Sequence, residues 1–179
     1  VRRGGGRVID GACVVGGVGV VPSVEWLQGS GLGLEDGVAC DAACAALGAK
    51  RVVVAGDAAN WEHPRYGRLR VEHWDNAIAQ GDAAAQTLLA PPGDAQSYAS
   101  VPFFWSDQYD CKLQLIGVAR PGDAMRVVEG ALGARRFVTL FERDGRPTGA
   151  FLFNSMHRVA AYRQTVETGV ACLAKGAAA

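Results

Sequence analysis

The first residues with evident chemical potential are Gly56 and Asp57, which follow the apolar run RVVVA at residues 51–55. The unbroken hydrophobicity of this run predicts a central strand of an α/β sheet, buried on both faces. Open α/β folds hold their ligands at the carboxyl ends of such strands. There the Asp57 carboxylate could accept hydrogen bonds from ligand hydroxyls, and Gly56 would admit a close approach to the backbone. Taken alone, the dipeptide more often starts a turn or caps a helix.

Two aromatic segments could hold the ring of a ligand. Glu72, His73 and Trp74 come at the start of a helix that the apolar spacing predicts over residues 74–89. Free N–H groups at the start of a helix can hold the electron-rich edge of an anionic or carbonyl-bearing ring. Trp105, in the segment VPFFWSDQYD, could pack on a flat cofactor, with packing in the core as an equal alternative.

A glycine run in ACVVGGVGVVP, at residues 12–22, is a weaker signal. It predicts a strand that runs into a glycine turn, but a GxG after a strand occurs in many folds. Ser23 can then cap a short helix that carries Glu25 in its first turn, where the helix dipole favours an acid. Residues 61–70, rich in Pro, Gly, Arg and aromatic side chains, are expected to form a loop.

The elements that follow have a different pattern. A Pro-Pro-Gly sequence at residues 91–93 interrupts the chain, and we place a domain boundary near residue 95. Strands are predicted over residues 112–118, 125–129, 136–143 and 148–153. An Asp-Gly turn separates the last two strands, and Asn154 or Ser155 can cap a final helix that ends at about residue 167. This half is therefore expected to be an α+β unit with an antiparallel sheet.

Length and composition limit the class of protein. The chain has 179 residues, a formal net charge of zero, 20% charged and 49% hydrophobic residues, which excludes a disordered or collagen-like chain. Its longest apolar run is far shorter than the roughly 20 residues of a membrane helix, and no signal peptide is visible, so we expect a cytoplasmic protein. It has no concentrated basic patch of the kind that binds nucleic acid.

The five cysteines are an odd number without a repeated metal-ligand spacing, which predicts reduced thiols rather than a disulfide framework. Cys40 and Cys44 have a spacing that one turn of helix could bring together. A redox or metal role for this pair is the less favoured interpretation, and small buried thiols are preferred. The cysteines are Cys13, Cys40, Cys44, Cys111 and Cys172.

Three segments taken together carry a resemblance to a known family. In this order and spacing, VVVAGDAA, HPRYGRLRVEHWDNA and VPFFWSDQYD closely resemble the flavoprotein NAD(P)H reductases of the ferredoxin and rubredoxin reductase family, which belong to the pyridine nucleotide-disulfide oxidoreductase superfamily and include reductases coupled to oxygenases. The resemblance extends over roughly residues 7–166. Several independent motifs agree, so the resemblance is specific.

The resemblance implies a fold, its cofactors and the residues that bind them. Residues 1–95 would be an α/β, partial FAD/NAD-binding Rossmann-like domain, and residues 96–179 a small α+β C-terminal reductase domain. FAD would contact Asp57 through its ribityl chain, the backbone of Trp74 through its pyrimidine edge and Trp105 through its isoalloxazine ring. The residues implied in FAD binding are Gly56, Asp57, His73, Trp74 and Trp105, and those implied in NAD binding are Gly17, Gly19 and Glu72.

The resemblance also implies the reaction. Hydride would pass from NAD(P)H to the flavin, and single electrons would then leave for an iron–sulfur protein such as a ferredoxin or a rubredoxin. The flavin itself performs the redox step, so no side chain is assigned as acid or base.

Two other interpretations stay open. In the first, the chain is a non-catalytic module for partner docking or homodimerisation, in which arginines of the more basic second half bind an acidic ferredoxin. These arginines are Arg120, Arg126, Arg135, Arg136, Arg158 and Arg163. In the second, the chain is a flavoprotein disulfide reductase. This is ranked low, because the spacing of Cys40 and Cys44 does not supply the close redox pair that such enzymes need at the flavin.

The sequence departs from the family pattern in one respect. The GxGxxG motifs that cradle the pyrophosphates of FAD and NAD are absent from the 179 residues. We therefore expect the chain to be the C-terminal portion of a longer reductase and to be inactive in isolation. Because a helix N-terminus at the pyrophosphate supplies much of the anion recognition, the purified chain is expected to retain less than about one tenth of an equivalent of flavin. Its visible absorption spectrum measures this, and a stoichiometric yellow protein would contradict it.

Overall fold

A three-stranded mixed sheet and one long helix make up the first part of the fold. The computed structural model describes Val8 and residues 10–170. In the sheet, β1 pairs in parallel with β2, and β2 pairs in antiparallel fashion with β3. Helix α1 follows directly. The bounds are Val38–Cys40 for β1, Ala59–His63 for β2, Gly67–Arg70 for β3 and Trp74–Leu89 for α1.

A five-stranded antiparallel sheet with one helix makes up the second part. The strands lie in the order β4-β5-β8-β7-β6, and every neighbouring pair is antiparallel. The bounds are Phe103–Gln108 for β4, Cys111–Gly117 for β5, Ala124–Ala131 for β6, Arg136–Arg143 for β7, Arg146–Phe153 for β8 and Val159–Thr168 for helix α2. The predicted fold class is confirmed: a partial Rossmann-like segment with parallel strands precedes an antiparallel C-terminal unit.

One face of the second sheet forms its core with α2. Alternate residues of β5, β7 and β8 point to this face because side chains of a strand alternate between the two faces. Tyr162 and Val166 of α2 pack on them. The strand residues of this core are Ile116, Val138, Leu140, Ala150 and Leu152.

Most of the predicted elements of this half are confirmed. The four predicted strands correspond to β5 to β8, and Asp144 and Gly145 form the β7–β8 turn with φ of 51° and 72°, as a two-residue turn with both residues in the left-handed region requires. The final helix begins with the short 3₁₀ turn Met156–Arg158. Ser155 does not cap it, because its hydroxyl donates to the Phe153 carbonyl instead.

The predictions for two segments before α1 were wrong. Residues 51–55 form no strand, and Val52 is 38% exposed; their one ladder contact is an isolated bridge between Val53 and Ala45. Apolarity predicted a central strand there, but the residues hydrogen-bond to residues 44–46 across a single bridge, and the strand parallel to β2 is β1 instead. Residues 61–70, expected to form a loop, contain β3 and most of β2.

The glycine-rich segment also differs from its prediction. Residues 12–22 form no strand, and Val15 and Val18 are 93% and 97% exposed. The next element is the single 3₁₀ turn Glu25–Leu27, which Ser23 does not cap. Strand β4, by contrast, was missed, because its run of aromatic and polar residues lacks a clear alternation.

Helix α1 has the predicted bounds but an unexpected orientation. Its apolar residues Trp74, Ile78 and Leu89 are exposed by 71%, 54% and 84%. The buried residues are Asn76, Gln80 and Ala84, so the helix turns a polar and small-residue face inwards.

His63 joins β2 to the segment that leads into β4. The imidazole is 1% exposed, and its Nδ1 accepts hydrogen bonds from the backbone N–H groups of Arg65 and Tyr66 at 3.0 and 3.3 Å. Its Nε2 lies 3.2 Å from the Ser100 carbonyl oxygen. Because a carbonyl can only accept, Nε2 carries the proton and the ring is neutral. Burial lowers the pKa of His63 accordingly.

We expect the free energy of unfolding to fall as the pH is lowered below about 6.5, since the unfolded chain then binds a proton that the folded His63 resists. Urea unfolding at intervals between pH 7.5 and pH 5 measures this. His63→Gln should reduce the slope by up to about 1.4 kcal/mol per pH unit. His157→Gln, at an exposed histidine, is the control and should leave the slope unchanged. An equal slope in His63→Gln and the wild type would contradict the assignment.

Candidate functional site

The Gly56–Asp57 turn lies against the side of α1. Gly56 is buried, has a φ of +71°, and begins the 3₁₀ turn Gly56–Ala58. A side chain there would be strained by the left-handed backbone and would meet the Ala77 Cβ at 3.4 Å. Asp57 is exposed, and its backbone carbonyl accepts a hydrogen bond from Arg70 at 3.2 Å. The turn therefore buries its glycine and leaves the carboxylate accessible.

The N-terminus of α1 presents unused hydrogen-bond donors. The first backbone N–H to find a carbonyl is that of Ala77, which donates to His73 at 3.0 Å. His73 is the N-cap residue, and its side chain makes no capping hydrogen bond. Within residues 10–170, the preceding N–H groups of residues 74–76 have no recorded acceptor, which makes this end of the helix a site for electron-rich atoms.

Four aromatic residues meet beside this end of the helix. The rings of Trp74 and Trp105 lie 6.2 Å apart between centroids, and those of His73 and Phe104 lie 5.2 Å apart. Trp105 is 39% exposed and Phe104 is 42% exposed, so the group is accessible from solvent. We call these four residues the aromatic platform. The structure thus brings together five residues that the sequence singled out: Gly56, Asp57, His73, Trp74 and Trp105.

His73 is a neutral ring in acidic surroundings. Burial lowers its pKa, and the nearby carboxylates of Asp57, Glu72 and Asp75 oppose that shift. The Nδ1 atom is buried and has no hydrogen-bond partner in the described part of the chain. A buried polar atom usually has a partner, so this nitrogen is an exception within the site.

Arg70 holds three groups around the turn. Its side chain is 13% exposed; Nε donates to Asp36 at 2.7 Å and Nη1 donates to both Glu72 and the Asp57 carbonyl. The carboxylates keep the pKa of Arg70 above its usual range. Sequence reasoning missed this residue, since basic residues in a segment expected to be a loop carry no spacing signal.

A second set of residues that sequence reasoning missed lies on the buried face of α1. The Gln80 amide oxygen accepts hydrogen bonds from the Gly56 N–H at 2.9 Å and from Asn76 at 3.3 Å. The Asn76 amide oxygen in turn accepts from the Tyr98 hydroxyl at 3.1 Å. The sequence signal that could have found these residues is the stripe of polar and small residues at i, i+4 and i+8 of α1, on the side opposite its apolar stripe.

The structure does not bring Gly17 and Gly19 to the aromatic platform. Both are exposed, and no atom lies within 4 Å of an added Cβ at either position. Glu72 lies nearer, one residue before the N-cap of α1, with its carboxylate on Arg70. Of the three residues implied in NAD binding, only Glu72 adjoins the other site residues.

Of the described cysteines, Cys40 and Cys44 are the small buried thiols that the preferred interpretation of this pair predicts. Cys40 and Cys44 are free thiols that are fully buried, and burial raises their pKa to about 12 and about 11. Cys13 is exposed and Cys111 is half-buried, while Cys172 lies outside the described residues. Among the described residues, no three His, Cys, Asp or Glu side chains form a group that could hold a metal ion.

The arginines of the second half are mostly paired within the fold. The Arg158 guanidinium binds the Glu129 carboxylate, and Arg120 donates to the Tyr66 carbonyl at 2.6 Å. Three further pairs are Arg126–Glu142 at 3.7 Å, Arg135–Asp110 at 3.0 Å and Arg163–Glu167 at 3.7 Å. These contacts neutralise much of the charge that the docking interpretation relied on.

No helix of the described chain is long and apolar enough to cross a membrane.

Comparison with known proteins divides the chain in two. Residues 1–81 match the family described as pyridine nucleotide-disulphide oxidoreductase, and residues 103–179 match the family described as reductase C-terminal. Together the two matches cover most of the chain.

Individual relatives agree with both matches. The chain is 35% identical over 176 residues to the ferredoxin–NAD(+) reductase component of the anthranilate 1,2-dioxygenase system of Burkholderia cepacia, covering 93% of this chain and 42% of the relative. It is 34% identical to rhodocoxin reductase of Rhodococcus erythropolis, covering 76% and 31%. The crystal structure of Fdr9 superposes with a TM-score of 0.83 at 30% identity, covering 94% and 43%. The chain therefore spans less than half the length of these relatives.

Because Arg70 is almost buried and holds three groups, we expect Arg70→Met to lower the free energy of unfolding by about 1–2 kcal/mol, leaving two carboxylates and a carbonyl without their donor. Arg126→Met removes an ion pair whose arginine is 60% exposed and should cost no more than about 0.5 kcal/mol. Urea unfolding at pH 7 measures both. Equal losses in the two variants would show that the Arg70 contacts are no stronger than a surface ion pair.

Proposed function

We propose that this chain, which belongs to the pyridine nucleotide-disulphide oxidoreductases and carries a reductase C-terminal domain, supplies the flavin-facing part of a reductase. The reductase would pass electrons from NAD(P)H through FAD to a ferredoxin or rubredoxin, as in oxygenase systems. The observation that carries the proposal is the meeting of three features: the accessible Asp57 carboxylate, the free N–H groups of α1 and the aromatic platform.

Each feature suits a different part of the flavin. The Asp57 carboxylate has no side-chain hydrogen bond in the described structure, so both oxygens can accept from ribityl hydroxyls. The N–H groups at the start of α1, with the backbone of Trp74 among them, suit the carbonyl oxygens of the pyrimidine edge. Gly56 has no side chain that would stand between the Asp57 carboxylate and the start of α1. The donor and acceptor pattern therefore fits this end of FAD.

The aromatic platform suits the isoalloxazine ring. Trp105 and Trp74 offer exposed indole faces on which an isoalloxazine ring could stack. The neutral His73 beside the platform adds no positive charge near the ring. The flavin itself would supply the hydride and single-electron chemistry. The protein side chains bind and orient it.

Residues for the nicotinamide cofactor are assigned on the resemblance. Glu72 can receive the carboxamide N–H₂ on the carboxylate oxygen that Arg70 leaves free. Gly17 and Gly19, which do not lie at the aromatic platform, are assigned to this cofactor on the resemblance alone. We also retain the division near residue 95, with a nucleotide-binding part before it and a reductase C-terminal domain after it. An iron–sulfur protein is the proposed electron acceptor.

A ligand series tests the proposed flavin site. All the assigned FAD contacts involve its isoalloxazine and ribityl parts, so we expect the chain to bind riboflavin and FAD with dissociation constants within about threefold of each other. AMP should not compete with riboflavin for the site. Asp57→Asn should weaken the binding of riboflavin and of FAD at least about tenfold, because it removes a charge-assisted acceptor. Flavin fluorescence titration measures the affinities.

Asp94→Asn, at an exposed aspartate beyond the C-terminal end of α1, is the matched control and should bind as the wild type does. FAD that binds more than about tenfold tighter than riboflavin would place the main contacts on the phosphates or adenine and contradict the assignment. Failure of the wild-type chain to bind riboflavin at millimolar concentration would overturn the proposed function.

A further inference from the structure

The side chain of Gln80 is fully buried, although it is polar and lies at the centre of a helix that packs on the first sheet. Its amide oxygen lies 2.9 Å from the Gly56 nitrogen. Gly56 is itself buried, and in the described chain no other acceptor for its N–H is recorded. Because a buried backbone donor without an acceptor is costly, the conformation of the turn depends on Gln80.

Two further side chains fix where the Gln80 oxygen lies. Asn76, one turn earlier on α1, donates to the same oxygen, so the amide group is held from two sides. The Tyr98 hydroxyl donates to the Asn76 oxygen and thereby fixes which end of that amide faces Gln80. Tyr98 belongs to the segment that leads into β4, which carries Trp105. The hydrogen bonds therefore connect the turn with the approach to the aromatic platform.

We propose that Gln80 is a positioning residue of the flavin site: by accepting the Gly56 N–H, it sets the Gly56–Asp57 turn against α1 so that the Asp57 carboxylate faces the ribityl hydroxyls. The inference rests on the proposed function above. Gln80 lies beneath the turn and is not placed in contact with the flavin. It would act through Gly56 and Asp57, whose contact with the ligand depends on the position of the turn.

The geometry distinguishes this role from simple packing. Ala77 lies beside Gly56, where its Cβ would be only 3.4 Å from a side chain added at that position, so an apolar residue at position 80 could still fill the space beneath the turn. What an apolar residue cannot provide is an acceptor. Gln80→Leu therefore removes the hydrogen bond while keeping similar volume, and Gln80→Glu keeps an oxygen at the same reach. Gln86→Leu, at an exposed glutamine of α1, is the matched control.

The first experiment needs no ligand. In the wild-type chain, hydrogen exchange of the Gly56 amide followed by NMR should be slow, because the N–H is buried and bonded. Gln80→Leu should speed this exchange at least about tenfold, while exchange of the amides in the middle of α1 stays unchanged. In Gln86→Leu, exchange of the Gly56 amide should be the same as in the wild type. Equal protection of Gly56 in Gln80→Leu and the wild type would overturn the proposal. General acceleration in all amides would mean loss of folding, and Gln80→Met, which keeps the length of the side chain but has no amide oxygen, would then carry the comparison.

The second experiment measures riboflavin binding. Gln80→Leu should weaken binding about tenfold, Gln80→Glu should stay within about threefold of the wild type, and Gln86→Leu should not change it. In combination, Gln80→Leu and Asp57→Asn should weaken binding by less than the product of the single effects, since both act through the same carboxylate. In combination, Trp105→Leu and Gln80→Leu should weaken binding by the product of their single effects. A merely structural role for Gln80 would give multiplicative effects in both pairs and would contradict the proposal.

The outcomes separate this inference from the proposed function. If the wild type binds no riboflavin, the proposed function fails and the positioning role fails with it, even where Gly56 exchange depends on Gln80. If the wild type binds riboflavin and Gln80→Leu binds it equally well, the proposed function stands and only the positioning role is overturned.

Discussion

The buried N–H of Gly56 is the constraint on which the site depends. A donor at that depth needs an acceptor within the protein, and Gln80 provides one from the middle of α1 at 2.9 Å. To bring that oxygen to Gly56, α1 must turn its amide-bearing stripe inwards and its apolar stripe outwards. The exposure of Trp74 and Ile78 follows from the same rotation. The orientation of the helix is therefore set by one polar contact as much as by hydrophobic burial.

This orientation explains how the site is assembled. With Gln80 facing inwards, the N-terminus of α1 lies beside the turn, and Trp74 projects towards β4, where it meets Trp105. Arg70 holds the other side of the turn through the Asp57 carbonyl and pairs with Asp36 and Glu72. Polar contacts on both sides thus leave Asp57 as the accessible carboxylate. A turn held this way needs little reorganisation when a ligand binds.

The sequence was sufficient wherever local chemistry and periodicity decide the structure. Strands β5 to β8 of the second sheet and the Asp-Gly turn were predictable, as were the bounds of α1, whereas β4 lacks a clear alternation and was missed. The sequence was insufficient where the structure of a segment depends on a neighbouring strand. Residues 51–55 are apolar enough for a strand, but in the described chain they make only one isolated bridge. Motifs located Asp57, Trp74 and Trp105. Gln80 and Arg70 were missed because their role depends on contacts with residues distant in the sequence.

Besides the ring contacts of the aromatic platform, polar contacts join the two parts of the fold, and they bear on the site. Arg65 donates to the carbonyls of Val166 and Glu167 at the end of α2, where a cation complements the helix dipole. The Tyr66 hydroxyl donates to the Thr148 carbonyl at 3.1 Å. Hydrogen bonds of this kind are directional, whereas apolar contacts tolerate sliding. The position of Trp105 relative to α1 is therefore specified by the loop after β2 as well as by the residues of the site.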